Sequence, residues 1–136
     1  MQNPERVEIL GGCVCGTTRY ALASKPVRLS DCHCIDCRRS SGAPYVTWGS
    51  VPAGDLRLLQ GSTRRVPHAG RFRFFAACCG TPLFFRDAVH SEWIDVTIAS
   101  LDEPAAFAPE KSLWVEDKLP WVQLDPRMPA HPQGSP

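Results

Sequence analysis

The sequence predicts a mainly β domain that contains a single short helix. Its main signal is a series of short runs in which apolar and polar residues alternate, because alternate residues of a strand point to opposite faces. Thirteen prolines and ten glycines interrupt these runs and argue against long helices. The length of 136 residues suits one compact domain, which we place at residues 1–124, followed by a proline-rich C-terminal tail at residues 125–136.

The predicted strands are bounded by Gly, Pro, Asp or Ser, which favours antiparallel pairing through turns. The clearest strand covers residues 94–98, where Ile94, Val96 and Ile98 share one face. Further strands are predicted at residues 7–10, 18–22, 27–29, 45–48, 56–59, 71–74 and 82–85.

One helix is predicted at residues 31–41, with Asp31 as its N-cap and with Gly42 and Pro44 ending it. Residues 101–121 contain three prolines and are predicted to form a long surface loop. The last twelve residues contain four prolines and are expected to fray.

Composition excludes several classes of protein. An apolar fraction of 43% and a charged fraction of 21% are ordinary for a globular domain and exclude a disordered tail, a coiled coil or a fibre. No apolar run approaches the roughly 18 residues that span a bilayer, and the polar N-terminus shows no export signal. Seven cysteines, an odd number, indicate thiolates used in a reducing compartment rather than a disulfide scaffold, so we expect a cytoplasmic protein without a membrane partner.

Two short segments repeat the same order of residues, Cys-Gly-Thr at 15–17 and at 79–81. Glycine after a cysteine suits a tight turn that lets backbone N–H groups approach the sulfur, and two such turns are typical of a zinc-ribbon-like site. We therefore predict a metal site that uses Cys13, Cys15 and Cys79. Cys78 can join only if the turn is tight, because consecutive residues point to opposite faces. The alternative is that these cysteines are small buried apolar residues.

A second cluster consists of Cys32, Cys34 and Cys37, in the spacing C-x-C-x-x-C. Three thiolates without a nearby fourth cysteine describe an open zinc site, and an open position is the mark of a catalytic zinc. His33 lies between two ligands and is expected to point away from the metal, either supporting the site or lying at the surface. Asp36 is the nearest candidate for a general base.

Arg38 and Arg39 directly follow this cluster. A zinc ion with three thiolates is anionic, so an adjacent guanidinium would balance its charge and could bind a carboxylate of an incoming ligand. We therefore predict both arginines as substrate-binding residues. Adjacent residues on a helix point in different directions, which leaves open that only one serves the site or that both form a solvated face.

Together the motifs CVCG, CHCIDCRRSSGAPYVTW, CCGTPLFF, IDVTIASLDEP and WVEDKLPW resemble the glutathione-dependent formaldehyde-activating enzyme family over residues 11–121. Its founding activity is that of S-(hydroxymethyl)glutathione synthase, and the domain also occurs in centromere protein V. The resemblance implies an all-β, Mss-four-like fold and a carbon–sulfur lyase or synthase that acts on glutathione and formaldehyde. It implies a catalytic zinc on Cys32, Cys34 and Cys37 and a structural zinc on the other predicted site.

The sequence departs from the family pattern F-C-x-x-C-G-T, because Ala76 stands where the first cysteine is expected. The structural zinc site is therefore one ligand short unless Cys78, a water molecule or a remote side chain completes it.

The leading hypothesis from the sequence is a zinc enzyme that uses a small-molecule thiol such as glutathione. An alternative is a non-catalytic zinc module that binds a protein or nucleic acid through arginines interleaved with aromatic residues at 64–74. Residues 1–86 carry a net charge of +7 and residues 87–136 a net charge of −6, so the whole chain is nearly neutral, which argues against a nucleic-acid partner. Redox sensing through Cys78 and Cys79 is a third hypothesis, disfavoured because adjacent cysteines form strained disulfides.

Overall fold

A computed structural model describes residues 8–134 of the chain. The strands of this part are β1 Ile9–Gly12, β2 Arg19–Leu22, β3 Val27–Cys32, β4 Val46–Pro52, β5 Leu56–Gln60, β6 Thr63–His68, β7 Arg71–Ala76, β8 Pro82–Asp87, β9 Trp93–Thr97 and β10 Lys111–Leu113. One helix, α1 Ile35–Ser41, is accompanied by short 3-10 turns at Ala53–Asp55, Ile98–Ser100, Pro104–Ala106 and Val115–Asp117. The prediction of a mainly β fold with short helical turns is confirmed.

The strands form two sheets. The smaller sheet has the order β1-β2-β5, and the larger has the order β10-β3-β4-β9-β8-β7-β6. Neighbouring strands are antiparallel except for β10, which runs parallel to β3. The small sheet covers one face of the large sheet, and the core lies between them.

This core is built from the apolar residues that alternate along the strands. Tyr20 of β2 is fully buried and meets Phe84 of β8 edge-on, with ring centroids 4.9 Å apart. Val51 of β4 and Val96 of β9 are also fully buried in the same cluster. Burial of such side chains supplies most of the favourable free energy of folding. This face of the large sheet therefore stabilises the fold.

The opposite face of the large sheet carries polar and aromatic residues. The register aligns Ser30 with Trp48, Ser50 with Asp95, and Phe85 with both Asp95 and Arg73. Since paired residues in a ladder share a face, these side chains form one continuous surface across β3, β4, β9, β8 and β7. The apolar core lies on the other face of the large sheet, so this surface can line a binding site.

Helix α1 begins later than the sequence predicts. The predicted N-cap, Asp31, instead lies within β3, where it pairs with Thr47 of β4 and Ser112 of β10 and accepts a hydrogen bond of 2.6 Å from Thr47 Oγ1. Strand pairing on both sides satisfies the backbone at this position, so the strand continues. The helix is capped by Cys34 and ends at Gly42, whose φ of +71° confirms the predicted stop.

The C-terminal segment is more ordered than the sequence predicts. The predicted surface loop contains β10, and residues 129–133 follow the free edge of that strand. Ser112 donates its N–H to Pro129 O and accepts from His131 N, and Trp114 donates to Gln133 O. The expected fraying is therefore wrong for residues 129–133, because the edge of β10 offers unpaired backbone groups.

Several predictions fall partly or wholly outside the described residues. The judgement on an export signal concerns residues 1–7, the first predicted strand includes Val7, and residues 135–136 end the tail. Within residues 8–134, every helix is too short to cross a membrane.

Candidate metal centres

The structure brings Cys13, Cys15, Cys78 and Cys79 together in what we call the surface cluster. Their sulfur atoms all lie within 4.8 Å of one another. The sulfur–sulfur distances are 3.6 Å from Cys13 to Cys15, 3.5 Å from Cys13 to Cys78 and 3.3 Å from Cys15 to Cys78. Cys13 is buried and the other three are exposed.

A tight turn between β7 and β8 lets the two adjacent cysteines face the same point. Gly80 donates its N–H to Ala76 O at 2.8 Å and adopts a φ of +80°, which favours glycine. Cys78 thus lies with Cys79 in the cluster, where the sequence alone favoured Cys79. Ala76, at the family's expected ligand position, is buried in the core at 2% exposure.

Threonines on both turns hydrogen-bond to the sulfurs. The Thr18 N–H donates to Cys13 Sγ at 3.2 Å and lowers the pKa of that thiol. The Thr81 hydroxyl lies 3.2 Å from Cys79 Sγ, and its hydroxyl and N–H lower the pKa of Cys79 to about 5. Cys78 differs: its hydrogen bond with Thr18 lowers its pKa, but the neighbouring thiols and partial loss of solvation raise it to about 11.

The donor set and spacing of the surface cluster fit a zinc ion. Bonds of about 2.3 Å in a tetrahedron place sulfurs roughly 3.8 Å apart, close to the distances found here. Four thiolates would close the coordination shell, as in a structural site.

The second group, which we call the cavity cluster, consists of Cys32, Cys34 and Cys37, with sulfurs within 4.8 Å of one another. Cys32 ends β3, Cys34 caps α1, and Cys37 lies in the first turn of the helix. The Cys37 N–H donates to Cys34 Sγ at 3.3 Å. Among residues 8–134, this group holds three sulfur ligands without a fourth side-chain ligand, so it fits the open type of zinc site.

The cavity cluster favours one thiolate even without a metal. Hydrogen bonds from Cys32 and Cys37, helped by the charge of Arg73, lower the pKa of Cys34 to about 2. Hydrogen bonds with the Cys34 and Cys37 sulfurs, together with burial, raise the pKa of Cys32. A thiolate is the form that binds metal, so the cluster is already biased toward its ligand state.

His33 does not join the cavity cluster. Its ring is 1% exposed, lies 4.9 Å from the Tyr45 ring, and has its pKa lowered by burial. The surface position allowed by the sequence analysis is therefore wrong, and the side chain packs behind the cysteines.

A cavity of about 670 Å³ opens next to the cavity cluster, over the polar face of the large sheet. All three cysteines line it, together with aromatic residues from three strands and from the segment after β10. The aromatic residues are Trp48, Phe85, Trp93 and Trp114. Its size suits a small molecule of tripeptide dimensions.

The arginines that line the cavity are not the predicted ones. Arg38 and Arg39 lie on α1 outside the lining, whereas Arg28, Arg71 and Arg73 form part of it. Arg73 Nη2 lies 3.9 Å from Cys37 Sγ, and its guanidinium covers the Phe85 ring at 4.9 Å. The alternation of arginine and phenylalanine along β7 predicts that Arg71 and Arg73 share one face of the strand. Whether that face lines the cavity depends on how the sheets pack.

Comparisons with known proteins agree with this architecture. A family model described as glutathione-dependent formaldehyde-activating enzyme matches residues 8–117. The crystal structure of a Rhodobacter sphaeroides protein is similar, with a TM-score of 0.58 and 20% identity, covering 89% of this chain and 98% of that chain. At that identity, the likeness supports the fold.

Proposed function

Because the chain belongs to the glutathione-dependent formaldehyde-activating enzyme family, we propose that it is a zinc-dependent carbon–sulfur lyase or synthase acting on a thiol adduct. Glutathione and formaldehyde are the pair that the family description indicates. The observation that carries the proposal is an open group of three cysteines facing a cavity large enough for a tripeptide thiol.

In this proposal Cys32, Cys34 and Cys37 hold the catalytic ion, and the surface cluster holds a structural one. A zinc ion with three protein ligands supplies a Lewis-acid position that lowers the pKa of a coordinated thiol. The chain itself supplies ionised sulfur, a shaped cavity and a positive charge beside the cluster.

Arg73 supplies that charge. Its positive guanidinium lies 3.9 Å from Cys37 Sγ and favours the ionised form of the cluster. The planar guanidinium can also pair with a carboxylate of the ligand. We therefore assign to Arg73 the role that the sequence suggested for Arg38 and Arg39.

Aromatic side chains pack around the cavity cluster and make its surroundings less polar than water. Trp48 packs with Cys32 and Cys37, and Trp114 and Phe85 pack against this group. In a less polar environment, charge interactions are stronger than in water, which increases the effect of Arg73. Asp36, next to Cys37, also lines the cavity and remains our candidate for proton transfer.

We expect Arg73→Gln to weaken glutathione binding by about 1.5–3 kcal/mol, the range for hydrogen bonds to a charged group. Titration calorimetry on the zinc-loaded protein measures this directly. Arg39→Gln, an exposed change on α1, is the matched control and should leave affinity nearly unchanged. Equal affinities for the two variants would remove Arg73 from the binding site.

We also propose that Cys78 replaces the ligand missing at Ala76. The support is the position of Cys78 Sγ, 3.3 Å from Cys15 Sγ and 3.5 Å from Cys13 Sγ. We expect two zinc ions per chain in the native protein and a count near one in Cys78→Ser, measured by elemental analysis. Ala77→Ser, in the same exposed turn, should keep both ions. A count of two in Cys78→Ser would show that another group completes the site.

The alternative of a nucleic-acid-binding module gains little from the geometry. Two arginines of β6 and β7 already have partners: Arg65 covers the Phe72 ring at 4.8 Å, and Arg71 lies 3.6 Å from Asp87 of β8. Phe74 packs against the core. All seven cysteines are free thiols, which supports our proposal of a reducing, cytoplasmic location.

A further inference from the structure

Arg28 occupies an unusual backbone position at the edge of the cavity. Its φ is +53°, and it lies in an irregularity of the β3–β4 register between Val27 and Ser30. Such a conformation costs free energy in a residue other than glycine and persists where the surroundings enforce it. An irregularity of this kind redirects a side chain, and here the guanidinium lies over the Trp93 ring, 4.1 Å from its centroid. Among residues 8–134, Arg28 forms no ion pair.

Asp95 places a carboxylate on the same wall of the cavity. It is half-buried and receives a hydrogen bond of 2.5 Å from Ser50 Oγ, its partner across the β4–β9 ladder. Burial raises the pKa of Asp95, while the nearby charge of Arg28 lowers it. Within the described chain, the charges of Arg28 and Asp95 attract each other, but the two side chains are too far apart to form an ion pair.

Arg28 and Asp95 therefore line one cavity as a cation and an anion that form no ion pair with each other in the described chain. Asp95 is half-buried, and a partly buried charge without an ion-pair partner is costly. Arg28 is exposed at the edge of the cavity, so a ligand whose ammonium reaches Asp95 can place its carboxylate on this guanidinium. We infer that Arg28, Trp93, Asp95 and Ser50 bind a free amino-acid head group, with its carboxylate on Arg28 and its ammonium on Asp95. We call these four residues the head-group site.

The head-group site lies at a suitable distance from the cavity cluster. Arg28 precedes Cys32 by four residues on β3, so their Cα atoms are at most about 13 Å apart. A cysteine thiol and the α-carbon of a γ-linked glutamyl residue are separated by roughly 10 Å when extended. The arginine side chain covers the remaining distance. A γ-glutamyl thiol can therefore reach both places at once.

Other charged groups at this end of the cavity fit the role less well. Arg71 already faces Asp87 at 3.6 Å. Within residues 8–134, the side chains of Glu92 and His90 form no hydrogen bond of the kind that Ser50 donates to Asp95. The head-group site rests on the proposed function and narrows its substrate. It selects thiols that carry an amino-acid head group over simple thiols.

The test uses S-methylglutathione, whose blocked sulfur cannot ionise, so binding is measured apart from thiol chemistry. Titration calorimetry compares the full chain with Arg28→Gln, Asp95→Asn and the control Arg57→Gln, an exposed arginine on β5 that pairs with Glu8. We expect each site variant to bind roughly 10-fold or more weakly, and the control to bind as the native protein does.

N-acetylated S-methylglutathione, which lacks the ammonium, provides the second arm. It should bind the native protein as weakly as the parent compound binds Asp95→Asn, and that variant should no longer distinguish the two compounds. Equal binding of both compounds by the native protein, or no binding of either, would overturn the head-group site. The metal content and the activity with formaldehyde test the proposed function separately, so its failure is distinguishable from that of this inference.

Discussion

Cys37→Ser is expected to fold, to lose one metal ion and to lose thiol-dependent activity completely. The three sulfurs of the cavity cluster lie within six residues, so a metal there closes only a short loop and adds little to global stability. The cap of α1 uses Cys34 Sγ, which this substitution leaves in place. Elemental analysis, thermal unfolding by circular dichroism and formaldehyde consumption by NMR in the presence of glutathione measure the three outcomes.

Ser40→Ala is the control for Cys37→Ser. Ser40 lies on the same helix and donates its hydroxyl to Asp36 O, so its loss perturbs α1 without removing a sulfur. This variant should keep its metal and its activity. If Cys37→Ser kept both its metal and its activity, the cavity cluster would not be the catalytic site.

Cys15→Ser is expected to lower the melting temperature by roughly 10 °C or more, or to give insoluble protein. Cys15 and Cys78 are separated by 63 residues in sequence, so a metal bound between them joins the β1–β2 turn to the β7–β8 turn. Binding free energy at such a site is folding free energy. Thermal unfolding with and without a chelator measures the effect, and the chelator should affect the native protein more than the variant.

Val14→Ala is the matched control, since Val14 lies between Cys13 and Cys15 and is 85% exposed. Its melting temperature should stay within a few degrees of the native value. If Cys37→Ser unfolded while Cys15→Ser stayed fully active, the structural and catalytic roles would be exchanged. If both cysteine variants folded and kept activity, the zinc-enzyme proposal would be wrong.

Local sequence patterns predicted the whole cavity cluster and three members of the surface cluster, whereas the place of Cys78 depended on the turn between β7 and β8. Cys32, Cys34 and Cys37 are so close in sequence that any compact backbone brings them together, and the repeated Cys-Gly-Thr linked Cys15 to Cys79 across a long separation. The mainly β fold followed from alternation and from frequent glycine and proline, because both act within a few residues.

The start of α1 could not be predicted from neighbouring residues alone. A capping residue at position 31 is reasonable from the sequence, but Asp31 pairs with β4 and β10, which are brought alongside it by distant parts of the chain. The same holds for residues 129–133, which lie along β10 although their prolines predicted fraying.

Local patterns in the sequence were enough to predict which residues could bind metal and that the fold would be mainly β. Which charges face the cavity depends instead on the packing of distant segments. Arg38 and Arg39 are neighbours of Cys37 in sequence but lie outside the lining, whereas Arg73 and Arg28 reach it from β7 and β3. The physical reason is that the face to which a strand residue points is set by sheet order and register, which depend on packing between segments far apart in the chain.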